Sequence, residues 1–195
     1  MNKLKVIGFL AGPGAGKSTT AWGLAHLMKI KGMSVELIHE YAKEVVWEER
    51  LPLLDNQLYL FAKQEQLQRR LIGKVEYCVT DSPLLLELAY IDLIFDKLQA
   101  DGIMHHLDYL TALDHLRTTV KAYNECYDNI YIYINRIKSF DQTGRVQNLE
   151  ESLELDDTMV GILENENDYY VIDGGRDAPR QALEIIIEEA KEGYS

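Results

Sequence analysis

The stretch Val6-Ile7-Gly8-Phe9-Leu10-Ala11-Gly12-Pro13-Gly14-Ala15-Gly16-Lys17-Ser18-Thr19-Thr20 constrains the chain more than any other. An apolar run leads into a glycine-rich turn, and Gly-Lys-Ser-Thr then opens a helix. Glycines let a backbone wrap closely around an anion with several amide N–H groups pointing inward. The helix adds its positive N-terminal end. The pattern predicts a phosphate-binding loop in which Gly12, Gly14, Ala15, Gly16, Lys17, Ser18 and Thr19 hold a nucleotide. Lys17 reaches the β- and γ-phosphates and the Ser18 hydroxyl binds Mg²⁺. Ala11 stands where the pattern G-x-x-x-x-G-K-[ST] has its first glycine, at the strand end, where a methyl group is tolerable. The rival reading is an ordinary glycine turn at a helix start. The order strand, turn, Lys-Ser-Thr, helix argues against it.

A chain of 195 residues, 47% of them hydrophobic, suits one α/β domain with a sizeable core. Cys78 and Cys126 have no C-x-x-C spacing, which argues against a disulfide scaffold and a zinc site and suits a reducing compartment. No apolar run is long enough to span a membrane or to act as a signal peptide. The expected location is the cytoplasm (a host's, if the chain is phage-encoded), and a second copy of the chain is one candidate partner. The net charge of −12 repels nucleic acid unless a basic groove compensates, and otherwise serves solubility.

Helical periodicity and turn residues place a helix from Lys17 to about Lys31, ended by Gly32. A second strand runs Ser34 to Glu40, and a short helix runs Tyr41 to Arg50, stopped by Pro52. Asp55 reads as the cap of a longer helix reaching about Gly73. A third strand covers Val75 to Thr80, and Pro83 suits the first turn of a helix running through Leu98. Residues 103–123 read as helix, Ile130 to Ile134 as the fourth strand and 135–148 as a polar loop. Glu150 to Leu163 reads as an acidic helix with a solvated face, Tyr169 to Ile172 as the last strand and Ala178 to Glu192 as the closing helix. Strands alternating with helices demand a parallel sheet covered on both faces. Ligands in such sheets bind beyond the C-terminal ends of the strands.

That rule selects four places: the glycine-rich loop after strand one, Glu40 after strand two, Asp81 after strand three and the Arg136–Arg145 loop after strand four. Glu40 could accept a proton from an attacking hydroxyl, or be a helix-terminal acid favoured by the macrodipole. Asp81 could hold Mg²⁺, bind an acceptor, or simply make the turn before Pro83. On the helix after Asp55, residues Gln57, Phe61, Gln64 and Gln68 share one face and offer amides and a ring to a base edge. An ordinary polar face with Phe61 turned inward fits the same spacing. Arg136, Lys138 and Arg145, set against the single acid Asp141, read as a basic lid over about 136–148 that closes on a transferring phosphoryl group; the alternative is a solvated loop. The five histidines form no convincing metal set.

These motifs resemble a family of small P-loop kinases that contains ribosylnicotinamide-kinase-like domains and many bacteriophage proteins. Gly12 to Thr19 matches its phosphate loop, Glu40-Tyr41-Ala42-Lys43 its second-strand motif and Thr80-Asp81-Ser82-Pro83-Leu84 its third. Gly144-Arg145-Val146-Gln147 looks like its lid motif. Lys43 stands where many members have arginine, and Ser82 where an arginine often follows the aspartate. A looser similarity is to deoxynucleoside kinases, which carry a basic glutamate after the second strand, as Glu40, and a Gln-x-Tyr that reads the nucleobase, as Gln57-Leu58-Tyr59. Phage kinases acting on 5-hydroxymethyluracil in DNA are similar too. The resemblance implies a P-loop NTPase fold and an ATP- and Mg²⁺-dependent kinase. Its acceptor would be a hydroxyl on a nucleoside-like small molecule or on a modified base in DNA, with Tyr41, Gln57, Phe61 and Gln64 near it. Lys17, Glu40, Asp81, Arg136 and Arg145 would carry the chemistry, with Mg²⁺ on Ser18 and Asp81. The alternatives are a nucleoside monophosphate kinase and a P-loop ATPase or switch.

Overall fold

The computed structural model of the chain describes residues 3–100, 107–137, 149–165 and 168–192. Five strands form one parallel sheet: β1 (Lys5–Leu10), β2 (Val35–Ile38), β3 (Tyr77–Thr80), β4 (Asp128–Asn135) and β5 (Tyr170–Asp173), in the order β2-β3-β1-β4-β5. Seven helices accompany them among the described residues: α1 (Lys17–Ile30), α2 (Tyr41–Trp47), α3 (Gln57–Arg69), α4 (Leu86–Ala100), α5 (Leu107–Asn124), α6 (Leu149–Leu163) and α7 (Ala178–Glu192). β1 is the centre, flanked by β3 and β4, with Val6 opposite Cys78 on one side and Asn129 on the other. The expected doubly covered parallel sheet is therefore present.

Alternation along the strands sorts the core into two layers. Val6, Leu10, Cys78 and Tyr131 point to the face covered by α3, α4, α5 and α6. Ile7, Phe9, Val79, Ile130, Ile132 and Ile134 point to the face covered by α1 and α7. Both faces of β1 are buried, which is why its sequence is a continuous apolar run rather than an alternating one. The chain crosses from the β2 side to the β4 side at β1, so the C-terminal end of β1 opens into the crevice where parallel sheets bind ligands.

Several boundaries differ from the sequence reading. Asn56, not Asp55, caps α3: its side chain accepts the backbone N–H of Tyr59 at 3.0 Å, while Asp55 closes a short 3₁₀ turn over Leu51–Asp55. Pro83 lies three residues ahead of α4 and starts a tight turn, its carbonyl accepting from Leu86 N at 2.9 Å. It also packs on the sheet, where a Cβ on Gly8 would come within 2.6 Å of it. The acidic helix α6 is not solvated all round, because Ser152, Leu155, Asp156, Met159 and Leu163 form a buried face. Among the described residues no helix is long and apolar enough to cross a membrane.

Candidate active site

The glycine-rich loop leaves β1 at Ala11 and enters α1 at Lys17. Gly16 stands at φ 112°, a left-handed conformation that costs a side-chain-bearing residue strain and costs glycine nothing. Lys17 is buried; its Nζ donates to the carbonyls of Ala11 at 2.5 Å and Gly12 at 3.3 Å. Burial pushes the Lys17 ammonium below its ordinary pKa, while the negative charges of Glu40, Asp81 and Asp156 oppose that shift and Arg136 adds to it. Residues from the ends of β2, β3 and β4 and from α6 thus converge electrostatically on one ammonium. The Ser18 hydroxyl accepts from Lys43 Nζ at 3.3 Å. Thr19 is exposed, and Thr20 turns inward to donate to the Gly16 carbonyl at 2.9 Å.

Glu40 sits between β2 and α2 in extended conformation. Its backbone N–H donates to Asp81 Oδ1 at 3.0 Å, and Asp81 is only 2% exposed. The next amide, of Tyr41, donates to Gln64 Oε1 at 3.0 Å, and Gln64 Nε2 donates to the His39 carbonyl at 3.4 Å. The segment carrying Glu40 is therefore held from β3 by a carboxylate and from α3 by an amide. Tyr41 and Tyr59 meet edge-on, with hydroxyls 2.7 Å apart, and Lys63 lies 5.8 Å from each ring centroid.

The α3 face resolves into separate roles. Phe61 lies in the core, edge-on to Tyr123 with centroids 5.6 Å apart, so it belongs to the packing and not to an open ligand surface. The Gln64 amide is engaged with backbone. Gln57 donates to the Leu54 carbonyl at 2.7 Å, while its Oε1 is buried and makes no hydrogen bond to the described residues. In the first turn of α4, the buried Glu87 has its carboxyl pushed up to about 8, first by burial and then by the charge of Glu40. Tyr90 is raised well above its ordinary value by burial and by the charges of Glu40 and Glu87.

Arg136 departs from the expected lid role. Its guanidinium pairs with Asp156 Oδ2 at 2.7 Å and donates to Ser152 Oγ at 2.6 Å and to the Pro13 carbonyl at 2.8 Å. It clamps the glycine-rich loop to α6 because a planar fork of donors suits a carboxylate and two neighbouring oxygens at once. Ser152 also donates to the Pro13 carbonyl, at 2.8 Å, and Gly12 N donates to Asp156 Oδ1. A Cβ on Gly12 would collide with the Ser152 carbonyl, so glycine is required for this close approach. Arg145, Lys138 and the rest of the expected lid over 138–148 lie outside the described residues.

Four site residues were not singled out from sequence as carriers of chemistry: Ser152, Asp156, Glu87 and Lys43. Ser152 and Asp156 were readable in part, since they share the spacing of the apolar residues Leu155, Met159 and Leu163. A polar residue on an apolar face of a helix is a residue with a buried partner.

No family model and no curated protein matches the chain. Among solved structures it is similar to a deoxyadenosine kinase from M. mycoides with bound dATP, at TM-score 0.60 and 22% identity, over 95% of this chain and 99% of that one. The five-stranded parallel sheet and its helices thus share, over nearly the whole chain, the fold of that deoxyadenosine kinase.

Proposed function

We propose that the protein is an ATP-dependent kinase that transfers the γ-phosphate to a hydroxyl of a nucleoside-like acceptor. One observation carries this reading: the carboxylates Glu40 and Asp81, bonded through the Glu40 backbone at 3.0 Å, both act on the ammonium of Lys17 at the mouth of the glycine-rich loop. A phosphate chain held by that loop and Lys17 would have a carboxylate beside its terminal phosphoryl group. Glu40 would take the proton of the attacking hydroxyl. The Ser18 hydroxyl and the Asp81 carboxylate are hard oxygen donors of the kind Mg²⁺ prefers. Among the described residues no group of three or more His, Cys, Asp or Glu could hold a metal ion. Bound there, Mg²⁺ would neutralise charge on the phosphate oxygens. Arg145 remains our candidate for a cation that closes over the transferred group.

The likeness to a deoxyadenosine kinase supports a free nucleoside over a base in DNA, and so does the net charge of −12. Gln57, with its buried unpaired Oε1, and Tyr41 are the candidates to contact that acceptor. Two unpaired cysteines suit a reaction in the cytoplasm. Labelled ATP incubated with nucleosides, nucleoside monophosphates and hydroxymethylated DNA tests the reading. Label on a nucleoside is the expected result. Label on a monophosphate or on DNA would move the acceptor class, and ATP turnover that needs no acceptor would make the protein an ATPase.

A further inference from the structure

The peptide unit between Ala11 and Gly12 is gripped at both ends. Its carbonyl oxygen, on Ala11, accepts from Lys17 Nζ at 2.5 Å, and its N–H, on Gly12, donates to Asp156 Oδ1. A peptide is a rigid plane, so fixing the direction of its N–H fixes the direction of its carbonyl on the opposite edge. A carboxylate only accepts, so Asp156 can hold that plane in one sense and not the reverse. Asp156 is held in turn by Arg136, whose guanidinium also donates to the carbonyl of Pro13, two residues beyond Ala11. Asp156 is 8% exposed and Ser152 beside it is fully buried, so water does not compete freely for these bonds.

We infer that Asp156 is a positioning residue: through the Ala11–Gly12 peptide it sets where the Lys17 ammonium stands for the donor nucleotide. α6, distant in sequence from the loop, is then part of the ATP site although it offers no group to the phosphates. Asparagine could still accept from Gly12, but its amide hydrogens would face the Arg136 donors, so Asp156→Asn breaks the clamp at nearly constant volume. Glutamate keeps the charge at a longer reach.

The inference rests on Lys17 holding the donor phosphates, and direct ATP binding separates the two ideas. Calorimetric titration of ATP with Mg²⁺ is run on the wild type, Lys17→Ala, Asp156→Asn and the double variant, with thermal melts alongside. We expect Asp156→Asn to weaken ATP by about tenfold, the scale of one charge-assisted hydrogen bond. In the Lys17→Ala background the same change should cost nothing further, because its effect passes through the missing ammonium. Losses that multiply in the double variant would make Asp156 a merely structural residue, and wild-type affinity in a folded Asp156→Asn would overturn the inference outright. If Asp156→Asn does not fold, Asp156→Glu is carried through the same cycle with the same criterion. A wild type that binds no ATP would instead remove the kinase reading, and this inference with it.

Discussion

Asp81 Oδ1 accepts the backbone N–H of Glu40 at 3.0 Å and so joins the ends of β2 and β3 across the mouth of the site. The bond holds the Glu40 backbone from β3. The carboxylate that holds it is nearly fully buried. In the proposed reaction the two acids would hold different tasks, Asp81 toward Mg²⁺ and Glu40 toward the acceptor.

Glu40→Gln keeps the shape and removes the basic site. For a hydroxyl acceptor kcat should fall by ~10²–10⁴-fold, with the KM for ATP nearly unchanged. Steady-state kinetics with the acceptor found in the screen decide it. Near-normal transfer by the variant would return Glu40 to the role of a helix-terminal acid and favour phosphate acceptors, which are already anionic.

Lys17→Ala should reduce transfer by at least ~10²–10³-fold through lost stabilisation of phosphate charge, in a protein that still melts cooperatively. The fold should survive because, among the described residues, Lys17 hydrogen-bonds to the loop carbonyls of Ala11 and Gly12, and its burial disfavours the charged form. A folded variant with normal turnover would take the glycine-rich loop out of the mechanism.

Gln64→Leu tests the α3 support of the Glu40 segment. It strands the Tyr41 N–H, which should lower stability by about 1–3 kcal/mol. Because Glu40 adjoins Tyr41, kcat should drop more than the affinity for ATP. Equal losses in both, measured by kinetics and nucleotide binding, would show that the amide supports the fold without aiming the glutamate.

The stability of the protein should carry a pH signature from Glu87. Its carboxyl is raised to about 8 in the folded chain against 4.5 ordinarily, so the folded state holds a proton that the unfolded state has lost. Its contribution is fully present below about pH 4.5 and is lost as pH rises toward 8, on the order of 1 kcal/mol per pH unit. Glu87→Gln removes that slope, so urea melts from pH 5 to 8 should show the variant gaining on the wild type as pH increases. In Glu40→Gln the Glu87 transition should move to lower pH, because the Glu40 charge contributes to the shift. Parallel wild-type and Glu87→Gln curves would contradict a buried neutral acid.

What the sequence determined by itself is what short-range chemistry controls. Glycines at 12, 14 and 16 ahead of Lys17 encode an anion-binding turn, and strands alternating with helices admit only a parallel sheet. The strand-end rule then reached Glu40, Asp81 and Arg136 without any contact being known. The tertiary structure decided which partner each residue meets. The spacing of Gln57, Phe61, Gln64 and Gln68 shows a shared helix face. Only the contacts with the segment after β2 and with α5 show that Gln64 holds backbone while Phe61 enters the core. Arg136 reads as a lid cation from sequence because its partner Asp156 lies 20 residues further on, beyond the reach of any local spacing rule. Gly12 and Asp156 are 144 residues apart, and no local propensity encodes that meeting. It arises when α6 lays its apolar face against α4 in the core layer, so that burial of Leu155 and Met159 brings the carboxylate to the loop.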